Sequence, residues 1–86
     1  RESRVVVMEA LVYPFHPQFL KLRELLREGL IGEVRLVQAF FSFTLPPGKK
    51  NIRWEKDLGG GALWDVGYYP VSFVRAVAGG EPERIC

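Results

Sequence analysis

Residues Val5-Val6-Val7-Met8-Glu9-Ala10-Leu11-Val12 form a β-branched, nearly continuous apolar run. That pattern predicts a strand covered on both faces, as in a parallel sheet. Pro14 and Pro17 end it, because two prolines so close cannot both lie in a central strand. Pro17 suits the first position of a helix. Phe19, Leu22, Leu25 and Leu26 then recur at helical spacing, opposite Lys21, Arg23, Glu24, Arg27 and Glu28. Gly29 is placed to cap this helix, which should run for about 12 residues and about 18 Å.

The pattern changes again from Glu33 to Thr44. One set of alternating positions holds Val34, Leu36, Gln38, Phe40 and Ser42, and the other Arg35, Val37, Ala39, Phe41 and Phe43. This predicts a second strand, largely apolar on one face and partly polar on the other. Leu45 to Leu58 reads as a loop, marked by Pro46-Pro47-Gly48-Lys49-Lys50. Gly59-Gly60-Gly61 opens a second helix, from about Ala62 to Ala78, with Leu63, Val66, Phe73, Val74 and Val77 as its apolar stripe. Pro70 inside this stretch should kink or split it, and Gly79-Gly80 ends it. The expected order is β-α-β-α, with a further strand beginning near Glu83. The fold class is therefore α/β.

Composition narrows the function classes. The chain has 86 residues, 48% of them hydrophobic and 26% charged. This excludes an intrinsically disordered chain, and no apolar run is long enough to span a bilayer as a helix. The net charge is +2, with basic residues interleaved among acids, so no basic stripe suggests nucleic acid. One cysteine, Cys86, cannot form an internal disulfide, which favours a reducing, cytoplasmic setting. Both ends read as cut from a longer chain: the first residue is not Met, and Glu83 to Cys86 stop where a strand would be starting.

Few residues are candidates for chemistry. Three glycines at a helix start let a ligand approach the backbone and offer it amide donors. They serve equally well as a flexible, close-packed connection. They do not complete G-x-G-x-x-G, since Trp64 stands where the last glycine should be. Asp65 and Tyr69 stand four apart, on one helix face beside Gly60 and Gly61. A carboxylate and a phenol there can orient a substrate hydroxyl and move its proton, although residue types alone favour an ordinary structural role. Arg53 and Trp54 suit a sugar site by hydrogen bonding and ring stacking, or are plain loop residues. His16, the only histidine, has no partner set for a metal and most simply caps the helix that follows.

Three stretches in order resemble the Gfo/Idh/MocA oxidoreductase family. Met8-Glu9-Ala10 through His16-Pro17-Gln18 looks like the end of its nucleotide-binding domain. Leu25 through Arg35 looks like the passage into its second domain. Leu58-Gly59-Gly60-Gly61-Ala62-Leu63-Trp64-Asp65-Val66-Gly67-Tyr68-Tyr69-Pro70 looks like its glycine-rich D-x-G-x-[HY] segment, the most specific of the three. The resemblance implies that residues 1–16 end a Rossmann domain and that 17–32 form a linking helix. Residues 33–86 would then begin a C-terminal substrate and oligomerisation domain with an open, mostly antiparallel sheet.

It further implies hydride transfer between a sugar, polyol or related carbonyl compound and NAD or NADP. In that scheme Asp65 and Tyr69 are catalytic, Gly60, Gly61, Arg53 and Trp54 bind substrate, His16 binds the cofactor, no metal takes part, and the protein is a homo-oligomer through its C-terminal sheet. The family's glycine fingerprint and its Glu-Lys-Pro lysine would fall before Arg1. Glu55-Lys56-Asp57 is no substitute, since it follows the linking helix and lacks the proline. Pro14 also stands where relatives often have Arg. The chain by itself is therefore expected to be inactive. A non-catalytic α+β module that binds a sugar or another protein is the competing reading.

Overall fold

Proline and glycine punctuate the helices where the sequence puts them. The computed structural model describes residues 4–47 and 50–86; Arg1 to Ser3, and Gly48 and Lys49 of the expected loop, lie outside the described residues. The chain divides into two units, Arg1–Leu30 and Ile31–Cys86.

In the first unit, helix α1 spans Pro17–Arg27. His16 precedes it in an extended conformation, and its Nδ1 accepts a hydrogen bond from the Gln18 backbone N–H at 3.2 Å. One of the orphan amides at the helix start is thereby satisfied. At the other end Gly29 adopts φ +75°. Its N–H donates to the Leu26 carbonyl at 3.1 Å, and the Leu30 N–H donates to the Leu25 carbonyl at 3.1 Å. This is the paired closure that a left-handed glycine permits. Upstream, Tyr13–Phe15 makes one 3-10 turn. It brings the Tyr13 ring edge-on to Phe19, with centroids 4.8 Å apart at 87°. Phe19 is the one buried residue among those described.

If His16 caps α1, His16→Ala should loosen its first turn by about 0.5 kcal/mol. Amide exchange at Gln18 should quicken by about twofold. Unchanged Gln18 exchange would refute the cap.

In the second unit, residues 34–46 form no regular secondary structure, and two 3-10 turns follow at Ile52–Trp54 and Lys56–Leu58. A π-helical turn, Leu63–Gly67, leads into helix α2, Tyr68–Ala78. Pro70 explains the division. It has no N–H, and its ring crowds the carbonyl four residues back, so regular α winding cannot pass through it. Gly79, at φ +73°, closes the helix through its N–H to the Arg75 carbonyl.

The π turn also shifts the register of the apolar stripe. Val66, Phe73, Val74 and Val77 are half-buried, whereas Leu63 is exposed. Residues 37–40, the Pro70-Val71-Val74 face of α2 and Ile85 line an apolar groove of about 740 Å³.

The expected sheet is absent. Among the described residues no strand forms, so neither the β-α-β-α order nor an open, mostly antiparallel sheet is present. The α/β class is corrected to a helical one with long irregular segments. A strand exists only through hydrogen bonds to a neighbour, and no ladder of paired backbone groups accompanies either run. Val6 and Val7 are 96% and 88% exposed, and Phe40 is 88% exposed. The alternation of side chains describes residues suited to a sheet, but it does not supply the second strand. No helix among the described residues is long and apolar enough to cross a membrane.

Candidate functional site

The site forms around the turn that joins the loop to the second helical stretch. Asn51 begins it: its Oδ1 accepts from the Arg53 backbone N–H at 3.0 Å, an Asx turn that starts the 3-10 segment Ile52–Trp54. The chain then doubles back through Lys56–Leu58 to the glycines.

Each glycine amide has a backbone partner. Gly59 donates to the Lys56 carbonyl at 3.1 Å, Gly60 to Glu55 at 2.9 Å and Gly61 to Arg53 at 2.9 Å. The amides that the sequence offers to a ligand are therefore taken, and the run is a clasp. Gly60 sits so close to the preceding turn that a Cβ there would lie 2.7–2.8 Å from three backbone carbonyl oxygens, those of Glu55, Arg53 and Ile52. Gly61 adopts φ +109°, a conformation that side chains disfavour.

This clasp sets Arg53 against Asp65. Arg53 Nε donates to Asp65 Oδ2 at 2.7 Å, a short charge-assisted bond. The two side chains are 40% and 21% exposed, so the pair is half-sheltered. The guanidinium carbon also lies 5.7 Å from the centroid of the Phe43 ring, within cation–π range. Asp65 is anchored through its main chain as well, its N–H donating to the Gly61 carbonyl at 3.1 Å.

Around the pair is a cleft of about 290 Å³, walled by Phe41, Phe43, Leu45, Trp54 and Val66, with Gly61 at its edge. An apolar wall with one convergent polar pair is the usual make-up of a small-molecule site. Of the residues singled out from sequence, Arg53, Trp54, Gly61 and Asp65 line this cleft. Tyr69 is not among the lining residues. Its ring packs edge-on against Phe41 (5.3 Å, 76°) and tilts against Tyr68 (4.4 Å, 39°), so it borders the cleft behind an aromatic wall. Gly60 shapes the loop from behind. His16 belongs to the first unit, where it caps α1.

Sequence reading missed three contributors. Phe41 and Phe43 were assigned to a strand face, and they form the cleft wall. Asn51, two residues before Arg53, carried a legible turn signal. Among the described residues no three His, Cys, Asp or Glu side chains cluster as metal ligands. With no G-x-G-x-x-G and every glycine amide bonded to backbone, these residues do not fit a dinucleotide pyrophosphate.

Comparison with known proteins places the chain in a family. A model of the GFO/IDH/MocA C-terminal domain matches residues 19–86. The dTDP-3,4-didehydro-2,6-dideoxy-alpha-D-glucose 3-reductase of Actinomadura kijaniata is 40% identical over 99% of this chain, which covers 25% of that protein. A D-xylose 1-dehydrogenase (NADP(+)) of Haloferax volcanii is 43% identical over 98% of the chain and 25% of its own length. The trans-1,2-dihydrobenzene-1,2-diol dehydrogenase of Danio rerio is 42% identical over 99% and 25%. The chain thus spans about a quarter of the length of the curated relatives it matches. No solved structure matches it. With that family model matching residues 19–86, most of its length, the chain belongs to the GFO/IDH/MocA family.

Proposed function

We propose that the full-length protein carrying this chain is a nicotinamide-dependent oxidoreductase acting on a sugar, polyol or related diol. Residues 1–16 would close its nucleotide-binding domain, 17–32 link, and 33–86 begin the substrate domain. The observation that supports this most is the half-sheltered Asp65 carboxylate, held by Arg53 in the lining of a largely apolar cleft. The names of the relatives, which are reductases and dehydrogenases of sugar and diol compounds, point the same way.

When bound, the nicotinamide supplies the hydride acceptor or donor, and its binding determinants lie outside these residues. Asp65 accepts a hydrogen bond from the substrate hydroxyl through the oxygen not engaged by Arg53. Asp65 also takes up or returns the hydroxyl proton, and Tyr69 supports the cleft from behind the Phe41 ring. Trp54 offers a ring face to the apolar side of a sugar, while Gly60 and Gly61 keep the loop close enough to admit it. His16 stands beside the cofactor domain as the cap of the linking helix.

The test is reduction of NAD and NADP by the full-length protein with a panel of aldoses, polyols and cyclic diols, followed at the reduced-nicotinamide absorbance band. Turnover of at least one substrate is expected. Cofactor binding without turnover of any member would replace this reading with a sugar-binding module. This chain alone, lacking the cofactor determinants, should show no turnover.

A further inference from the structure

We infer that Arg53 is a positioning residue, acting through Asp65 and not by binding substrate itself. The inference rests on the assignment of Asp65 to the substrate hydroxyl. Three hydrogen bonds carry it. The Arg53 carbonyl accepts from the Gly61 N–H at 2.9 Å, the Gly61 carbonyl accepts from the Asp65 N–H at 3.1 Å, and Asp65 Oδ2 accepts from Arg53 Nε at 2.7 Å. Arg53, Gly61 and Asp65 form a closed circuit in which each residue is bonded to the other two. A carboxylate on a single tether can swing about its χ angles. This one is fixed at both its backbone and one of its oxygens.

The way Arg53 is held supports the same role. A guanidinium that recognises substrate presents its two terminal nitrogens as a fork. Arg53 instead uses Nε on Asp65, lies near the Phe43 ring, and has one terminal nitrogen 3.5 Å from Asn51 Oδ1. Its orientation is set by the protein before any ligand arrives. The consequence is that Asp65 Oδ1 is left as the acceptor, in a fixed place. Preorganisation of this kind affects the rate of the chemical step more than the affinity, because a displacement of about 1 Å can cost about 100-fold in rate.

The test is steady-state kinetics of the full-length protein with Arg53→Met and Arg53→Lys. Arg53→Met should lower kcat by about 30- to 100-fold, with KM within about threefold of the wild type. Arg53→Lys retains the charge without the planar geometry, and should fall between the two, with kcat about 3- to 10-fold below the wild type. A raised KM with kcat unchanged, or wild-type kinetics in either variant, overturns the inference. Should Arg53→Met fail to fold, Arg53→Lys decides alone by the same split.

Absence of wild-type turnover would instead count against the functional reading. The circuit is then tested through the Arg53 Nε–H resonance in nitrogen-correlated NMR of the full-length protein. Asp65→Asn should move that resonance, and an unmoved resonance overturns the circuit.

Discussion

Asp65→Asn in the full-length protein is expected to lower kcat by about 10²- to 10⁴-fold, the range for removing a positioned acid–base group. The substitution keeps size and shape, so the cleft of about 290 Å³ should persist. The amide retains one oxygen that can still face Arg53 Nε, but the bond is no longer charge-assisted on both sides. Asp65 is only 21% exposed and Arg53 40%, so solvent partly screens the pair. The loss of stability should be no more than about 1 kcal/mol. Activity and stability thus separate: a large fall in turnover beside a shift of a few degrees at most in melting temperature. A kcat within tenfold of the wild type would remove Asp65 from the chemistry.

Gly60→Ala should be the most damaging single-methyl change in the second unit. The new Cβ would meet the backbone oxygens of Glu55, Arg53 and Ile52 at 2.7–2.8 Å. None of these is the yielding end of a side chain. The turn must open, and the Gly60 and Gly61 amide bonds to Glu55 and Arg53 open with it. Overpacking against rigid neighbours costs about 1–3 kcal/mol, and two strained backbone bonds place this case at the upper end. Urea unfolding of the full-length protein, followed by Trp54 and Trp64 fluorescence, measures it. Gly61→Ala makes a useful comparison, since its Cβ would meet nothing within 4 Å and the penalty comes from φ +109° alone. A Gly60→Ala protein within 0.5 kcal/mol of the wild type would show that the clasp is not rigid.

Local punctuation was the part of the fold most legible from sequence. Pro17 and Gly29 bracket α1, and Pro70 divides the second helical stretch, because proline and glycine act through the backbone of their own residue. Of the residues expected at the site, Arg53, Trp54, Gly61 and Asp65 line one cleft, whereas Tyr69, Gly60 and His16 do not line it. The two apolar runs were not legible in the same way. Residues 5–12 and 33–44 have strand-like side chains, but pairing is a property of two segments and the pattern describes one at a time. The glycines misled for a related reason. Sequence shows that amides are available, not that carbonyls three, five and eight residues earlier have already claimed them. Leu63 falls off the apolar stripe because the chain winds there as a π turn and not with a 3.6-residue period.

The closed circuit has a consequence for how this segment tolerates changes in length. Its bonds join Arg53 to Gly61 and Gly61 to Asp65, so the stretch between them acts as a ruler of fixed count. One residue inserted or deleted within 54–60 would put a different amide opposite the Arg53 carbonyl and slide the guanidinium off the carboxylate. An insertion ahead of Asn51 leaves that count intact. Length variation within 54–60 or 62–64 is therefore incompatible with this circuit, whereas a residue added between Pro46 and Asn51, outside the Phe41 and Phe43 wall, should leave Asp65 against Arg53.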